Sequence, residues 1–90
     1  MVDSDVFARK ITETGEVYAG PTRVKKLVVT SAEGGGVVLR DGGASGSVRL
    51  EQDVPGGAIV DIGIPDGGLR FRHDVHATLT GMTSVTFYMA

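Results

Sequence analysis

The stretch VVLRDGGASGSVRL, Val37 to Leu50, decides the fold: two runs of alternating apolar and polar residues flank a loop with three glycines in six residues. Such a loop either cradles a phosphate or turns a strand back on itself. A Walker-type cradle needs a lysine followed by Ser or Thr after its last glycine, and a helix that starts there and points its N-terminus at the anion. Here Gly46 runs directly into Ser47, Val48, Arg49 and Leu50, with no lysine and no helical pattern. The stretch reads as a hairpin in which glycine supplies the positive φ of a tight turn.

The same grammar extends in both directions. Glycine makes up 14 of the 90 residues and clusters at Gly34 to Gly36, Gly42 and Gly43, Gly56 and Gly57, and Gly67 and Gly68. Between the clusters lie short runs rich in Val, Ile, Thr and Phe, the signature of half-buried strands joined by turns. In order they are Val6 to Thr12, Glu16 to Ala19, Val24 to Ala32, Val37 to Asp41, Ser47 to Gln52, Ala58 to Ile64, Leu69 to His73, Val75 to Thr80 and Ser84 to Ala90. The one stretch that could compete as a helix, TRVKKLVV, ends in β-branched residues and has glycine and proline beside it. The expected fold is all-β: a single small antiparallel β-sandwich or jelly-roll-like barrel of about eight strands spanning residues 1–90.

Alternation assigns an inward face to each run. Leu27 and Val29 share it with Val37, Leu39, Val48 and Leu50, and so do Val60, Ile62, Ile64, Leu69 and Phe71. Val75, Ala77, Leu79, Val85, Phe87 and Met89 complete the expected core. The opposite faces carry Arg40, Arg49, Asp61, Arg70, Arg72, His76, Thr78, Thr86 and Tyr88, an exterior for water or a partner.

A chain of 90 residues buries a modest share of its surface, and small domains gain stability from disulfides, a metal or oligomerisation. With no cysteine, disulfides and thiolate metal sites are excluded, which leaves oligomerisation as the supported route. A net charge of −2 gives no electrostatic footprint for nucleic acid or an anionic membrane. The opening MVDSDVFARK lacks the basic-then-apolar order of a secretory signal, and no run reaches the length of a membrane span, so the expected place of synthesis is a cytoplasm.

Candidate chemistry is sparse. His73 and His76, three apart, point to opposite faces of an extended strand and converge only if Asp74 begins a turn; no cysteine or third histidine completes a metal site. Ser31, Ser45, Ser47 and Ser84 have no nucleophile-elbow context. The expectation is therefore a binding protein, not an enzyme, with no cofactor and no metal. The basic residues Arg23, Lys25, Lys26, Arg40, Arg49, Arg70 and Arg72 could gather on one face, but too few aromatics remain outside the core for single-strand stacking.

The order GPTRVKKLVVTSAEGGGVVLRDG, GASGSVRL and PDGGLRFRHDVHATLTGMTSVTFYMA resembles small structural proteins of tailed bacteriophages. The residues that carry the resemblance are Gly20, Arg23, Lys25, the Asp41 to Gly46 hairpin, Ile64 to Phe71, and His76 to Tyr88. The resemblance covers most of the chain after Ala19 and implies a capsid decoration or cement protein on the virion surface, made in the host cytoplasm. The implied partners are the major capsid protein and further copies of the chain, as a homotrimer or else a dimer. Residues 1–16 lie outside the resemblance and read either as an extended or exchanged N-terminal arm or as the first strand of the chain's own sandwich. Candidate partner-binding residues are Val6, Phe7, Arg9 and Ile11 in that segment, with Arg23, Lys25, Arg70, Arg72 and Tyr88 on the later strands. The alternative is a tail or fibre component that binds carbohydrate or a receptor, for which Tyr18 and Tyr88 are the available tyrosines.

Overall fold

A computed structural model describes residues 6–65 and 67–90, except the side chain of Ala58; the first five residues of the N-terminal segment lie outside the described residues. The strands are β1 (Phe7–Ile11), β2 (Gly15–Ala19), β3 (Thr22–Ser31), β4 (Gly35–Asp41), β5 (Ser47–Val54), β6 (Ala58–Gly63), β7 (Leu69–Phe71), β8 (Asp74–Thr80) and β9 (Ser84–Met89). Each coincides with an alternating run of the sequence to within two residues at either end. The described residues contain no helix.

Two antiparallel sheets form, one in the order β1-β9-β3-β6 with β7 also on β3, the other in the order β2-β8-β4-β5. The pairs β1–β9, β2–β8, β3–β6 with β7, and β4–β5 nest inside one another along the chain. This is a long hairpin rolled so that β9 meets β3 and β8 meets β4. The result is a jelly-roll β-sandwich. Its innermost hairpin is β4–β5, the stretch quoted at the outset, where Gly42 and Gly43 take φ of 106° and 85° in the connecting loop.

The sandwich interior is apolar. Val24, Leu27, Val29, Phe71, Val85, Phe87 and Met89 face inward from the first sheet, and Val17, Val37, Leu39, Val54, Val75 and Ala77 from the second. Two buried hydroxyls satisfy backbone groups at the rim of this core. Thr22 Oγ1 donates to the Ala90 carbonyl at 3.0 Å, while Ser31 Oγ donates to the Gly81 carbonyl at 2.7 Å and accepts from the Gly34 amide at 2.8 Å.

Strict alternation is broken at three β-bulges, and each corrects the expected core. A bulge inserts one unpaired residue and shifts the facing of everything beyond it. Lys25 is the extra residue on β3, so Val24 and Leu27 both point inward although three positions separate them. Val17 is the extra residue on β2 and is fully buried. Arg49 is the extra residue on β5, which leaves Leu50 opposite Leu39 but turns Val48 outward with 48% of its surface exposed. Val48 is thus a surface residue and not part of the core.

Candidate functional site

Two margins of the sandwich gather most of the candidate residues. At the first margin, β1 is the edge strand of its sheet, paired with β9 of the same chain from Phe7↔Met89 to Ile11↔Val85. Val6 just before it, Phe7 and Arg9 are exposed, and Ile11 is half-buried against the core. The Phe7 ring lies against Tyr18 of β2, with centroids 5.2 Å apart and planes tilted by 45°, so an aromatic pair joins the two sheets at this margin.

At the second margin, Asp41, Ser47, Arg49, Arg70 and Arg72 line a cleft of about 250 Å³. The bulge on β5 places Arg49 there, and its Nε and Nη2 both donate to the Arg70 carbonyl on β7, at 3.3 and 3.2 Å. This side chain therefore ties the second sheet to the first. Arg70 also lines a neighbouring hollow of about 380 Å³ with Pro21, Thr22, Arg23, Phe71 and Ala90. Arg23 and Arg70 are direct cross-strand partners on β3 and β7, both exposed. Like charges directly opposite on an antiparallel pair are unfavourable unless an anion lies between them.

One carboxylate, that of Asp41, belongs to the cleft lining, and a second, that of Asp74, braces the adjoining loop. Asp41, the last residue of β4, accepts the amides of Arg72 at 2.9 Å and His73 at 2.8 Å, with a longer contact of 3.4 Å from Asp74. The backbone amide of Arg72 above all, then those of His73 and Asp74, holds the Asp41 carboxyl below its ordinary value, against partial desolvation that acts the other way. Asp74 in turn accepts the amides of Gly42 and Gly43 at 2.9 and 3.0 Å. Arg40 Nη1 closes the same loop on the Gly46 carbonyl at 3.1 Å.

The candidate residues do not form one site. Val6, Phe7, Arg9 and Ile11 cluster at the β1 margin, and Arg23, Arg70 and Arg72 at the arginine margin. Lys25 occupies the bulge of β3. Tyr88 lies on the outer face of the first sheet, where the Lys26 ammonium sits 5.8 Å from its ring centroid and 2.9 Å from Asp61. Among the described residues Lys26–Asp61 is the one ion pair, so the three guanidinium groups of the cleft have no ion-pair partner there. Arg49, Arg70 and Arg72 were expected among the basic residues of the exposed faces, and the structure brings these three together; Asp41 and Ser47 were missed as their companions, because a bulge and a long-range carboxylate place them there and neither leaves a periodic signal.

The histidines part company. His73 sits in the bend before β8, and His76 on β8 pairs across to Glu16 and to Arg40. No group of three His, Asp or Glu side chains able to hold a metal ion occurs among the described residues. Comparison of the chain with family models, curated proteins and solved structures finds no match.

Proposed function

We propose that this protein is a bacteriophage virion component that decorates the outer shell, acting by binding and not by catalysis and bridging copies of the major capsid protein. The observation that carries this reading is the β1 margin. An edge strand among the described residues, with an exposed Phe7 in aromatic contact with Tyr18, offers both backbone groups and an apolar side chain. A partner segment extending that sheet gains affinity from main-chain hydrogen bonds and specificity from alternate side chains. The jelly roll supports the reading by analogy, since the same architecture serves viral capsid and lectin domains. The resemblance of Asp41 to Gly46 and of His76 to Tyr88 to phage structural proteins points the same way.

The aromatic pair at the same margin favours a second reading, in which a tail or fibre protein holds a sugar against Phe7 and Tyr18. The two readings separate on stoichiometry. A decoration protein occurs in purified virions at a copy number comparable to the coat protein and is a trimer or dimer by light scattering. A handful of copies per particle together with a stable monomer overturns the decoration reading in favour of the tail.

A further inference from the structure

We infer that the cleft between β5 and β7 is a binding site for a tetrahedral oxyanion, phosphate or a phosphate monoester, held by Arg49, Arg70 and Arg72 with the Ser47 hydroxyl. The inference does not rest on the capsid reading. Three arginines and one aspartate line the cleft, a net positive set of residues in a chain whose overall charge is −2. The carboxylate is already engaged: Asp41 spends its oxygens on the amides of residues 72–74. It positions the arginine-bearing segment through the backbone, and among the described residues it forms no ion pair with the guanidinium groups.

Size and donor geometry select the ligand. A volume of about 250 Å³ lies below the usual range for drug-sized ligands and suits a small polar group. Guanidinium forks match phosphate and carboxylate oxygens two at a time. A carboxylate presents two oxygens in one plane, too few for the donors of three arginines and a serine supplied by β5, β7 and the bend after it. A tetrahedral oxyanion offers acceptors in all those directions. Arg49 is preorganised for the role, since its Nε and Nη2 are fixed on the Arg70 carbonyl, which leaves Nη1 and the second Nη2 hydrogen to donate. The opposed Arg23 and Arg70 add to the same demand for a counter-anion.

The test is an amide NMR titration of the whole chain with sodium phosphate, methyl phosphate and sodium acetate at constant ionic strength. Phosphate is expected to shift the amides of Ser47 to Arg49 and Arg70 to Arg72 in a saturable way, with a dissociation constant on the order of 1 mM. R72Q is expected to weaken binding about tenfold, and R72K, which keeps the charge but loses the fork, to weaken it as well. Equal binding of methyl phosphate identifies a site open to a monoester; binding of phosphate alone identifies a site for the free ion. Acetate binding as tightly as phosphate overturns the assignment, as does a linear response to 50-fold the expected constant, roughly 50 mM. Unchanged phosphate affinity in both R72Q and R72K, with folded spectra, overturns it too.

Discussion

Asp41 and Asp74 hold each other's chain neighbours: the carboxylate of Asp41 receives the amide of Asp74 and those of the two residues before it, and the carboxylate of Asp74 receives the two glycine amides that follow Asp41. Thirty-three residues apart, they clasp the β4–β5 hairpin loop to the bend that leads from β7 into β8. Backbone N–H groups stabilise both carboxylates in their ionised form.

Removing either half of the clasp should therefore be costly, and removing both should cost less than the sum. Asp74→Ala frees the Gly42 and Gly43 amides and is expected to lower stability by about 2 kcal/mol, the scale for hydrogen bonds to a charged acceptor. Urea unfolding of D41A, D74A and the double variant measures the coupling. Strict additivity would mean that the halves act independently.

The same clasp makes stability sensitive to acid. The folded-state pKa of Asp41 lies below its ordinary value of 3.8, so the unfolded chain takes up this proton first. The contribution is fully present above that unfolded value and is lost as pH falls through the lower folded one. Thermal unfolding followed from pH 6 (about) downward should show a loss in the wild type that is smaller in D41N. Identical acid slopes in the two proteins would exclude Asp41 as the source.

Close backbone approach predicts a sharp contrast between two glycines. A Cβ on Gly35 would be driven into the Thr80 carbonyl of the neighbouring strand, whereas one on Gly15 meets nothing within 4 Å. Gly35→Ala is expected to abolish cooperative folding. Gly15→Ala should leave stability within about 1 kcal/mol of wild type, aided by the reduced freedom of the unfolded chain. Far-UV circular dichroism with a melting curve separates the two.

Bulge placement can be checked by a pair of truncations on facing strands. Leu39 is fully buried while Val48 is half exposed, so Leu39→Ala should cost about 2–5 kcal/mol. Val48→Ala should stay within about 0.5 kcal/mol. Equal losses would place Val48 in the core, as unbroken alternation on β5 requires.

Phe7→Lys tests the β1 margin. The variant should fold with a loss of about 1 kcal/mol, the worth of the contact to Tyr18. It should fail to bind purified shells in a sedimentation assay. Retained binding would move the contact surface away from β1.

Strand positions were legible because glycine clusters mark their ends and period-2 alternation fills their interiors. The inward faces of β4, β8 and β9 followed from alternation alone, since Val37, Leu39, Val75, Ala77, Val85, Phe87 and Met89 lie on strands with no bulge among them. What alternation could not carry was a change of phase. Nothing in Lys25 or Arg49 marks either as an extra residue, yet each redirects its neighbours: Lys25 brings Val24 into the core, and Arg49 turns Val48 out. The arginines of the cleft were legible only as members of a wider exposed basic set; their grouping with Asp41 and Ser47 was not, for the same reason, together with the sequence distance between Asp41 and the amides that it accepts.

The pairing of Phe7 with Met89 also has a kinetic meaning. During synthesis β1 emerges first among the described strands, but its hydrogen-bonding partner is made after all the others. Until then its apolar side chains have no sheet to join. Long-range closure of this kind places folding in the slow, millisecond-to-second class of all-β topologies. It also makes β1 the segment that a crowded cell exposes longest, and the one most easily traded between two copies folding side by side.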